Sequence, residues 1–352
     1  MFRLLGKFLY VPAFVCMIAL LGAYLAPYVN PNTFVVPALL GLAYPYLLIL
    51  NLIFLFYWLA NWHRMFWIAL VVIIAGIPAF MSYYGTAKVQ DSEPKSDFAV
   101  LSYNVRYFDF YHWSGDRKIK DKLLNYLNSY KGDVICLQEF SIKSSSADEK
   151  SLIKRLKKYP YHYVYDNTAI FSRVPIIKKG HVAFETKHSG ACLYCDLKLG
   201  RDTVRVYSIH LESYRLGQKE RAFMQQLSQG KGESGLPDGA RRLTTRLTSA
   251  KKYRAEQAEL IHRHIRQTPW SVVVCGDFND TPLSYTYHKI KTGLDDAFIE
   301  CGRGLGNTYI GEWPSFRIDY ILHTPNLKTL SYRRDTAVLS DHYSVRASFS
   351  FK

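Results

Sequence analysis

Val272-Val273-Val274-Cys275-Gly276-Asp277-Phe278-Asn279-Asp280-Thr281-Pro282 runs from an apolar strand through a glycine into an Asp-x-Asn pair and a proline turn. A strand so apolar is buried on both faces, so Asp277 and Asn279 must emerge together at its tip. An acid that can take a proton from water, beside an amide that can hydrogen-bond a substrate oxygen, is a hydrolytic pairing. In isolation the fragment serves equally well as a turn. The rest of the chain decides between these readings.

Five other segments repeat the pattern. Asn104 follows the apolar run before it in Ser102-Tyr103-Asn104-Val105-Arg106, and Glu139 does the same in Ile135-Cys136-Leu137-Gln138-Glu139. His210 closes Val206-Tyr207-Ser208-Ile209-His210 and leads into Leu211-Glu212-Ser213. Asp319 sits inside the apolar run Arg317-Ile318-Asp319-Tyr320-Ile321-Leu322, and Asp341-His342 precedes the last strand. An acid within a buried strand needs a partner. His342 is the natural one, because a carboxylate fixes the imidazole tautomer and favours its cation. Each element alone is more often a capped strand end than a catalytic group. Five in one domain, all oxygen donors or imidazoles, point to a single site.

Outward from these ends, short β-branched runs alternate with amphipathic stretches. Strands are expected at Phe98–Val105, Asp133–Leu137, Tyr161–Tyr165, Ala169–Ser172, Ile176–Phe184, Ala191–Leu199, Thr203–His210, Ser271–Cys275, Arg317–Leu322, Lys328–Arg334 and Tyr343–Phe349. Helices are expected at Asp116–Tyr130, near Lys150–Tyr159, at Gln218–Gln229 and at about Ala240–Arg266. This order predicts two sheets packed face to face with helices outside. Five of the six cysteines fall in this region, and Cys192-x-x-Cys195 resembles a redox or zinc half-motif. Residues three apart on a strand face opposite sides, so buried small apolar residues are the better reading.

These motifs, in this order, resemble the endonuclease/exonuclease/phosphatase superfamily, and the resemblance covers about Asp97–Phe351. It implies an α/β fold, a four-layer α/β/β/α sandwich with the site at one edge, and divalent-metal-dependent phosphoester hydrolysis. Carried over by position, Glu139 is the principal ligand of Mg²⁺ (or Mn²⁺), with Asn104 beside it and Asp341 helping to hold metal or His342. Asp277 orients and deprotonates water, Asn279 and His210 bind the scissile phosphate, and Asp319 pairs with His342, which touches a phosphate oxygen. Arg106, Asn167 and Ser284 complete the implied substrate contacts. Hard oxygen ligands suit Mg²⁺ or Mn²⁺ better than zinc. His210-Leu211-Glu212-Ser213 is most similar to the tyrosyl-DNA phosphodiesterase branch.

Two features depart from the family pattern. Thr168, in Asn167-Thr168-Ala169-Ile170-Phe171-Ser172, stands where glycine is common. The interval between His210 and Asp277 is strongly basic, with Lys231, Arg241, Arg242, Arg246, Lys251, Lys252, Arg254, Arg263 and Arg266, and includes the Gly230–Gly239 loop. It reads either as a solvated helix with a loop or as an arm for a polyanion or anionic headgroups.

The first 87 residues differ in kind. The chain has 352 residues, 49% hydrophobic and 21% charged, with 45 Lys+Arg and 29 Asp+Glu. Residues 1–87 hold only Arg3, Lys7 and Arg64, so the remainder carries 42 cations and a net charge of +13. Collagen-like, disulfide-knotted and wholly disordered classes are excluded, and a purely cytosolic globule is not expected. Three transmembrane spans are expected, at about 8–26, 34–59 and 65–84, the second bent by Pro37 and Pro45. A cleaved signal peptide is disfavoured, since two further apolar spans follow and no small-x-small cleavage site is visible. The three cations put the N-terminus and Arg64 in the cytoplasm and residue 88 onward outside it. Gly85–Asp97 reads as a short polar linker.

The expected function is therefore a membrane-embedded metal-dependent phosphodiesterase, with nucleic acid or nucleotide favoured as substrate. A phospholipid, sphingolipid or inositol-phosphate phosphoesterase of the same fold is the alternative, and a non-catalytic membrane scaffold is the third reading. A fold shared across many phosphoesters leaves the substrate open.

Overall fold

The computed structural model describes residues 2–87, 95–110, 112, 114–140, 146–184, 189–217, 219, 220, 222, 223, 236–310 and 315–352. Most of the expected helix at Gln218–Gln229, most of the Gly230–Gly239 loop, and Tyr111, Trp113 and Trp313 lie outside these residues. The chain divides into two compact units. One is Ser82–Leu211, Gln257–Pro282 and Lys289–Lys352; the other is Met1–Met81, Glu212–Glu256 and Leu283–His288.

The first of these is an α/β sandwich. Its strands are β1 (Phe98–Asn104), β2 (Val134–Gln138), β3 (Tyr161–Tyr165), β4 (Thr168–Ser172), β5 (Ile176–His181), β6 (Ala191–Leu199), β7 (Asp202–His210), β8 (Ser271–Asp277), β9 (Asp295–Asp296), β10 (Asp319–His323), β11 (Leu327–Arg334) and β12 (Val345–Phe351). One sheet has the order β11-β12-β1-β2-β4-β3, the other β9-β10-β8-β7-β6-β5. Alternate side chains of a strand point to opposite faces, and both faces are used. Val100, Val134, Cys136 and Ile170 point between the sheets to meet Leu193, Cys195, Val206, Val273, Cys275 and Ile321. Leu101, Ile135, Leu137 and Phe171 point outward onto Leu123, Leu124 and Leu127 of the helix Ile119–Ser129. On the other sheet, the His264 ring stacks against Tyr194, and its Nδ1 lies 2.8 Å from the Tyr207 hydroxyl. Cys192 and Cys195 are buried and free, as apolar strand residues.

Two expectations fail here for identifiable reasons. The strand expected from Arg317 begins only at Asp319, because Arg317 is drawn into a fully buried ion pair, Nη1 to Asp296 Oδ2 at 2.8 Å. Its Nη2 donates to the Ser82 carbonyl at 2.7 Å. The polar linker expected from Gly85 is not free of the sandwich. Gly85–Thr86 pairs antiparallel with Arg303–Gly304, and Ala87 N–H donates to Gly302 O at 3.1 Å. A Cβ on Gly85 would come within 2.4 Å of that same Gly302 oxygen, so the close approach requires glycine.

The second unit contains the helices Phe2–Tyr24, Val36–Leu42, Tyr44–Ala60, Met65–Ala75 and Ile77–Met81. Three transmembrane spans were expected, the second of them bent, and among the described residues no single helix is long and apolar enough to cross a membrane. The second expected span is a pair, Val36–Leu42 and Tyr44–Ala60, bent by 73°. Pro37 and Pro45 each fall in the first turn of their helix, where a missing N–H costs nothing, so two starts replace one continuous rod. The third stops at Ala75 and restarts at Ile77, with Pro78 unable to donate back across the break. Polar ties hold the helices together: Asn51 Nδ2 donates to Cys16 O and Leu47 O, and Tyr10 meets His63 Nε2 at 2.6 Å. Val11, Phe14, Ile18, Ile53, Phe56, Trp67, Val71 and Ile74 are all exposed. The loop at 27–33 is tied within this unit, Asn30 Nδ2 to the Tyr285 hydroxyl at 3.4 Å and Asn32 Nδ2 to Lys252 O at 3.2 Å.

A fragment beginning at Lys88 loses both the Ser82 carbonyl and the Gly85–Thr86 strand. Compared with one beginning at Ser82, it is expected to be less stable to urea by about 2 kcal/mol, the worth of a hydrogen bond to a buried charged group. Equal midpoints and slopes for the two fragments would refute this role for residues 82–87.

Candidate functional site

Strand register builds the site. β7 and β8 run parallel with His210 opposite Asp277, and β10 runs antiparallel to β8 with Asp319 opposite Asp277. His210, Asp277 and Asp319 thus form one row across three adjacent strands. In the facing sheet, Asn104 is opposite Gln138 at the parallel ends of β1 and β2. Glu139 follows with φ 51°, a left-handed turn that redirects the chain immediately after the strand. Gln138 is wholly buried, and its Nε2 donates to Ser208 Oγ of β7 at 3.1 Å, tying the sheets together beneath the row. Gly276 has φ 144°, and a Cβ there would lie 1.9 Å from Ile209 O. Only glycine lets β8 approach β7 so closely at the residue before Asp277.

Asn104 Nδ2 donates to Asp277 Oδ2 at 3.1 Å and lies 3.4 Å from Glu139 Oε1. Its Oδ1 accepts from Arg106 N–H at 3.0 Å. Asn104, expected beside a metal, therefore turns its amide nitrogen to the two carboxylates and braces them. Asp277 Oδ1 accepts from Asn279 N–H at 2.8 Å, a bond that becomes possible because Asn279 adopts φ 52°. Asp277 Oδ2 faces both imidazoles, His210 Nε2 at 3.9 Å and His342 Nε2 at 3.8 Å. His210 Nε2 also lies 3.7 Å from Glu139 Oε1. Asn279 Nδ2 donates to Leu211 O at 2.9 Å, anchoring the Asp-x-Asn turn on the residue after His210.

His342 Nδ1 lies 2.9 Å from Asp319 Oδ2. Burial alone would lower this imidazole, but the Asp319 and Asp277 carboxylates outweigh it and push it up to about 10. His342 thus carries its proton through the neutral range. Burial also pushes the Asp277 carboxyl up to about 6, with His342 opposing and Asp319 adding to the rise. The half-buried Glu139 is raised by desolvation too, again opposed by His342. An acid raised toward neutrality beside a cationic imidazole is suited to moving a proton near pH 7.

Other expected residues lie around this group. Arg106 Nε meets Asp341 Oδ2 at 3.2 Å, so Asp341 faces the guanidinium, and Ser340 Oγ donates to its other oxygen. Arg106, Tyr107, Phe108 and Asp109 all have positive φ, four successive left-handed residues, in keeping with strain stored near functional groups. Asn167 Nδ2 reaches the Tyr107 hydroxyl at 3.1 Å and His210 Nδ1 at 3.4 Å, which brings Asn167 into the group. Ser284 belongs to the other unit, where its hydroxyl accepts from Tyr287 N–H at the start of the helix Tyr285–Lys291. Thr308 was missed by sequence reading. Buried Thr308 Oγ1 accepts from both Ile318 N–H and Asp319 N–H, fixing the backbone that carries Asp319. No strand-end pattern marks it; its place shows only once Thr308 O accepts from Tyr343 N–H, beside His342.

The donor chemistry favours a hard cation. Glu139, Asp277 and Asp319 supply carboxylate oxygens, and Asp319 Oδ1 is buried with no hydrogen-bond partner among the described residues. Ligand atoms of Asp277, Asp319 and His342 lie within 4.8 Å of one another. A protonated His342 already bound to Asp319 cannot ligate, however, so the carboxylate oxygens are the fitting set.

Comparison with known proteins agrees with this architecture. A model of the Endonuclease/Exonuclease/phosphatase family matches residues 101–342, and a domain of unknown function matches residues 6–83. No curated protein matches the chain. A crystal structure of humanized D. rerio TDP2 superposes with a TM-score of 0.53 at 18% identity, covering 72% of this chain and 98% of that one. The endonuclease/exonuclease/phosphatase from Bacteroides vulgatus gives 0.54 at 17%, covering 72% and 99%. The human Nocturnin catalytic domain with bound sulfate anion gives 0.52 at 17%, covering 72% and 94%. At such identities the likeness is one of fold. The matched segment runs from β1 to His342 and takes in every strand tip described above, and the chain belongs to the endonuclease/exonuclease/phosphatase family of phosphoester-hydrolysing enzymes.

Proposed function

We propose that the protein is a divalent-metal-dependent phosphodiesterase held at a membrane by its helical unit, with nucleic acid or a nucleotide as substrate. The observation that carries the hydrolytic reading is Asp277, a buried acid raised to about 6 between two imidazoles and braced by Asn104 and Asn279. Asp277 accepts the proton of the attacking water. His210 and Asn279 hold the scissile phosphate, and the His342 cation, fixed by Asp319, offsets charge on a phosphate oxygen. Glu139, with Asp341 and the other carboxylates nearby, would hold Mg²⁺ or Mn²⁺, which supplies Lewis-acid neutralisation of the phosphate when bound. Arg106 and Asn167 stand at the edge of the group as substrate contacts.

The net charge of +13 beyond residue 87 supports a polyanionic substrate. Apolar side chains turned outward on the helical unit support the membrane placement, since soluble surfaces rarely carry so many together. They equally favour the second reading, a lipid-linked phosphoester. With Arg3, Lys7 and Arg64 in the cytoplasm, the chain that follows the third apolar segment is extracytoplasmic.

With Mg²⁺ and a panel of DNA, RNA, nucleotides, inositol phosphates and lipid vesicles, one class should be turned over, nucleic acid or nucleotide by the first reading. Turnover of vesicles alone would select the second. For the accepted substrate, Asp277→Asn should lower kcat by about 10²–10⁴ with KM nearly unchanged, the effect of removing a general base; undiminished kcat would remove Asp277 from the chemistry. Chelation by EDTA should abolish turnover and added Mg²⁺ or Mn²⁺ restore it. Calorimetry should show Mg²⁺ binding that is lost in Glu139→Gln, and binding equal to wild type would reassign the ligand. In membranes, the full chain should resist alkaline carbonate extraction and float with vesicles, whereas release by carbonate would remove the anchor.

A further inference from the structure

We propose that the N-terminal half of the helix Leu236–Arg266 is a docking surface for anionic phospholipid headgroups, with Arg241, Arg242 and Arg246 as its contacting cations. This rests on the membrane placement proposed above and assigns a role to the basic segment that the catalytic site leaves unused. From Gly239 to Ala255 the helix carries six cations (Arg241, Arg242, Arg246, Lys251, Lys252 and Arg254) and no acid. They divide by burial. Lys251 and Arg254 are buried, and Arg254 is committed to the Glu212 carbonyl at 2.8 Å and to the face of Tyr214. Arg241, Arg242 and Arg246 are exposed. Among the described residues Arg241 and Arg246 enter no ion pair, and Arg242 has only a long contact to Glu220, at 3.9 Å.

Position selects the partner. This half of the helix belongs to the same compact unit as the apolar helices. Lys252 O accepts from Asn32, in the loop that joins the first apolar helix to the second, and the Tyr28 ring of that loop lies 5.0 Å from His288. Around the loop, Leu25, Tyr28 and Phe34 are exposed, an apolar and aromatic rim of the kind that sits at a bilayer boundary. At a rise of about 1.5 Å per residue, Arg246 lies about 9 Å and Arg241 about 16 Å along the axis from Lys252. The three guanidinium groups therefore lie within one or two Debye lengths of that rim, where anionic headgroups attract them. A nucleic acid would meet the same charge. It would not explain why the cations share a unit with, and begin beside, the apolar rim.

The test uses the full chain reconstituted into vesicles of mixed zwitterionic and anionic phospholipid. Electron paramagnetic resonance with spin-labelled phosphatidylglycerol and phosphatidylcholine reads the selectivity of the lipid shell. Wild type should prefer the anionic probe by about fivefold or more, the worth of one cation near an anionic surface, and lose the preference in high salt. The triple variant Arg241→Gln, Arg242→Gln, Arg246→Gln should fall to no preference while keeping its circular dichroism melt and its hydrolytic rate on a soluble substrate. Should the triple variant misfold, Arg241→Gln and Arg246→Gln, which break no ion pair, should each lower the preference. Unchanged selectivity in the folded variants overturns the proposal. So does loss of oligonucleotide binding with lipid selectivity intact, which would assign the surface to nucleic acid. A full chain that does not float with vesicles overturns the membrane placement itself, an outcome separate from floating chains that show equal selectivity.

Discussion

Everything at the site depends on carboxylates being held out of water in one row with too few cations to neutralise them. Asp277 and Asp319 sit opposite each other on adjacent strands, both almost wholly buried. Such a pair is sustained only where an opposing charge is fixed nearby, and His342 supplies it by bonding one acid and facing the other. Burial raises Asp277 to about 6, and one imidazolium shared with Asp319 does not offset that rise as it would in an ordinary ion pair. Glu139, from the facing sheet, adds a third acid to the same space. The residual negative charge is of the kind that suits a proton acceptor and the oxygen-ligand sites of hard cations.

The sandwich makes that arrangement rigid. Parallel pairing of β7 with β8 and of β1 with β2 brings four strand ends to the same edge, where β10 meets them. Gln138 bridges the sheets directly below, and the two donors that must turn away from their strands, Glu139 and Asn279, do so through left-handed backbone. Gly276 and Thr308 act through the main chain, one by allowing approach and the other by fixing the Asp319 peptide.

Much of this was legible before any coordinates, for a physical reason. Strand ends announce themselves when an apolar run stops at an acid, amide or imidazole, so Asn104, Glu139, His210, Asp277 and Asp319 could each be picked out. Convergence could not be read from any one of them; it came from the family resemblance and is seen in strand register. What escaped was carried by main-chain geometry or distant pairing. Arg317 looked like strand but is claimed by Asp296 and Ser82, more than two hundred residues upstream in the second case. Ser284 follows the Asp-x-Asn motif closely in sequence, yet its hydroxyl accepts from Tyr287 N–H at a helix start, a role the motif does not announce. Asn104 lies beside Glu139, and that its amide nitrogen rather than its oxygen faces the carboxylates is something no sequence pattern encodes. In the N-terminal region, the sequence showed the apolar stretches and the bend at Pro37 and Pro45, but not the break between Ala75 and Ile77. Proline at a helix start reads in sequence as a bend and in the structure as a new beginning.

The short pairing of Gly85–Thr86 with Arg303–Gly304 also bears on synthesis. Its halves are separated by more than two hundred residues. A ribosome adding 5–20 residues per second would expose the first half about 10–40 s before the second exists. Throughout that interval the segment behind the apolar helices has an open edge and no partner. The last stitches of the catalytic fold can close only after nearly the whole polypeptide has been made.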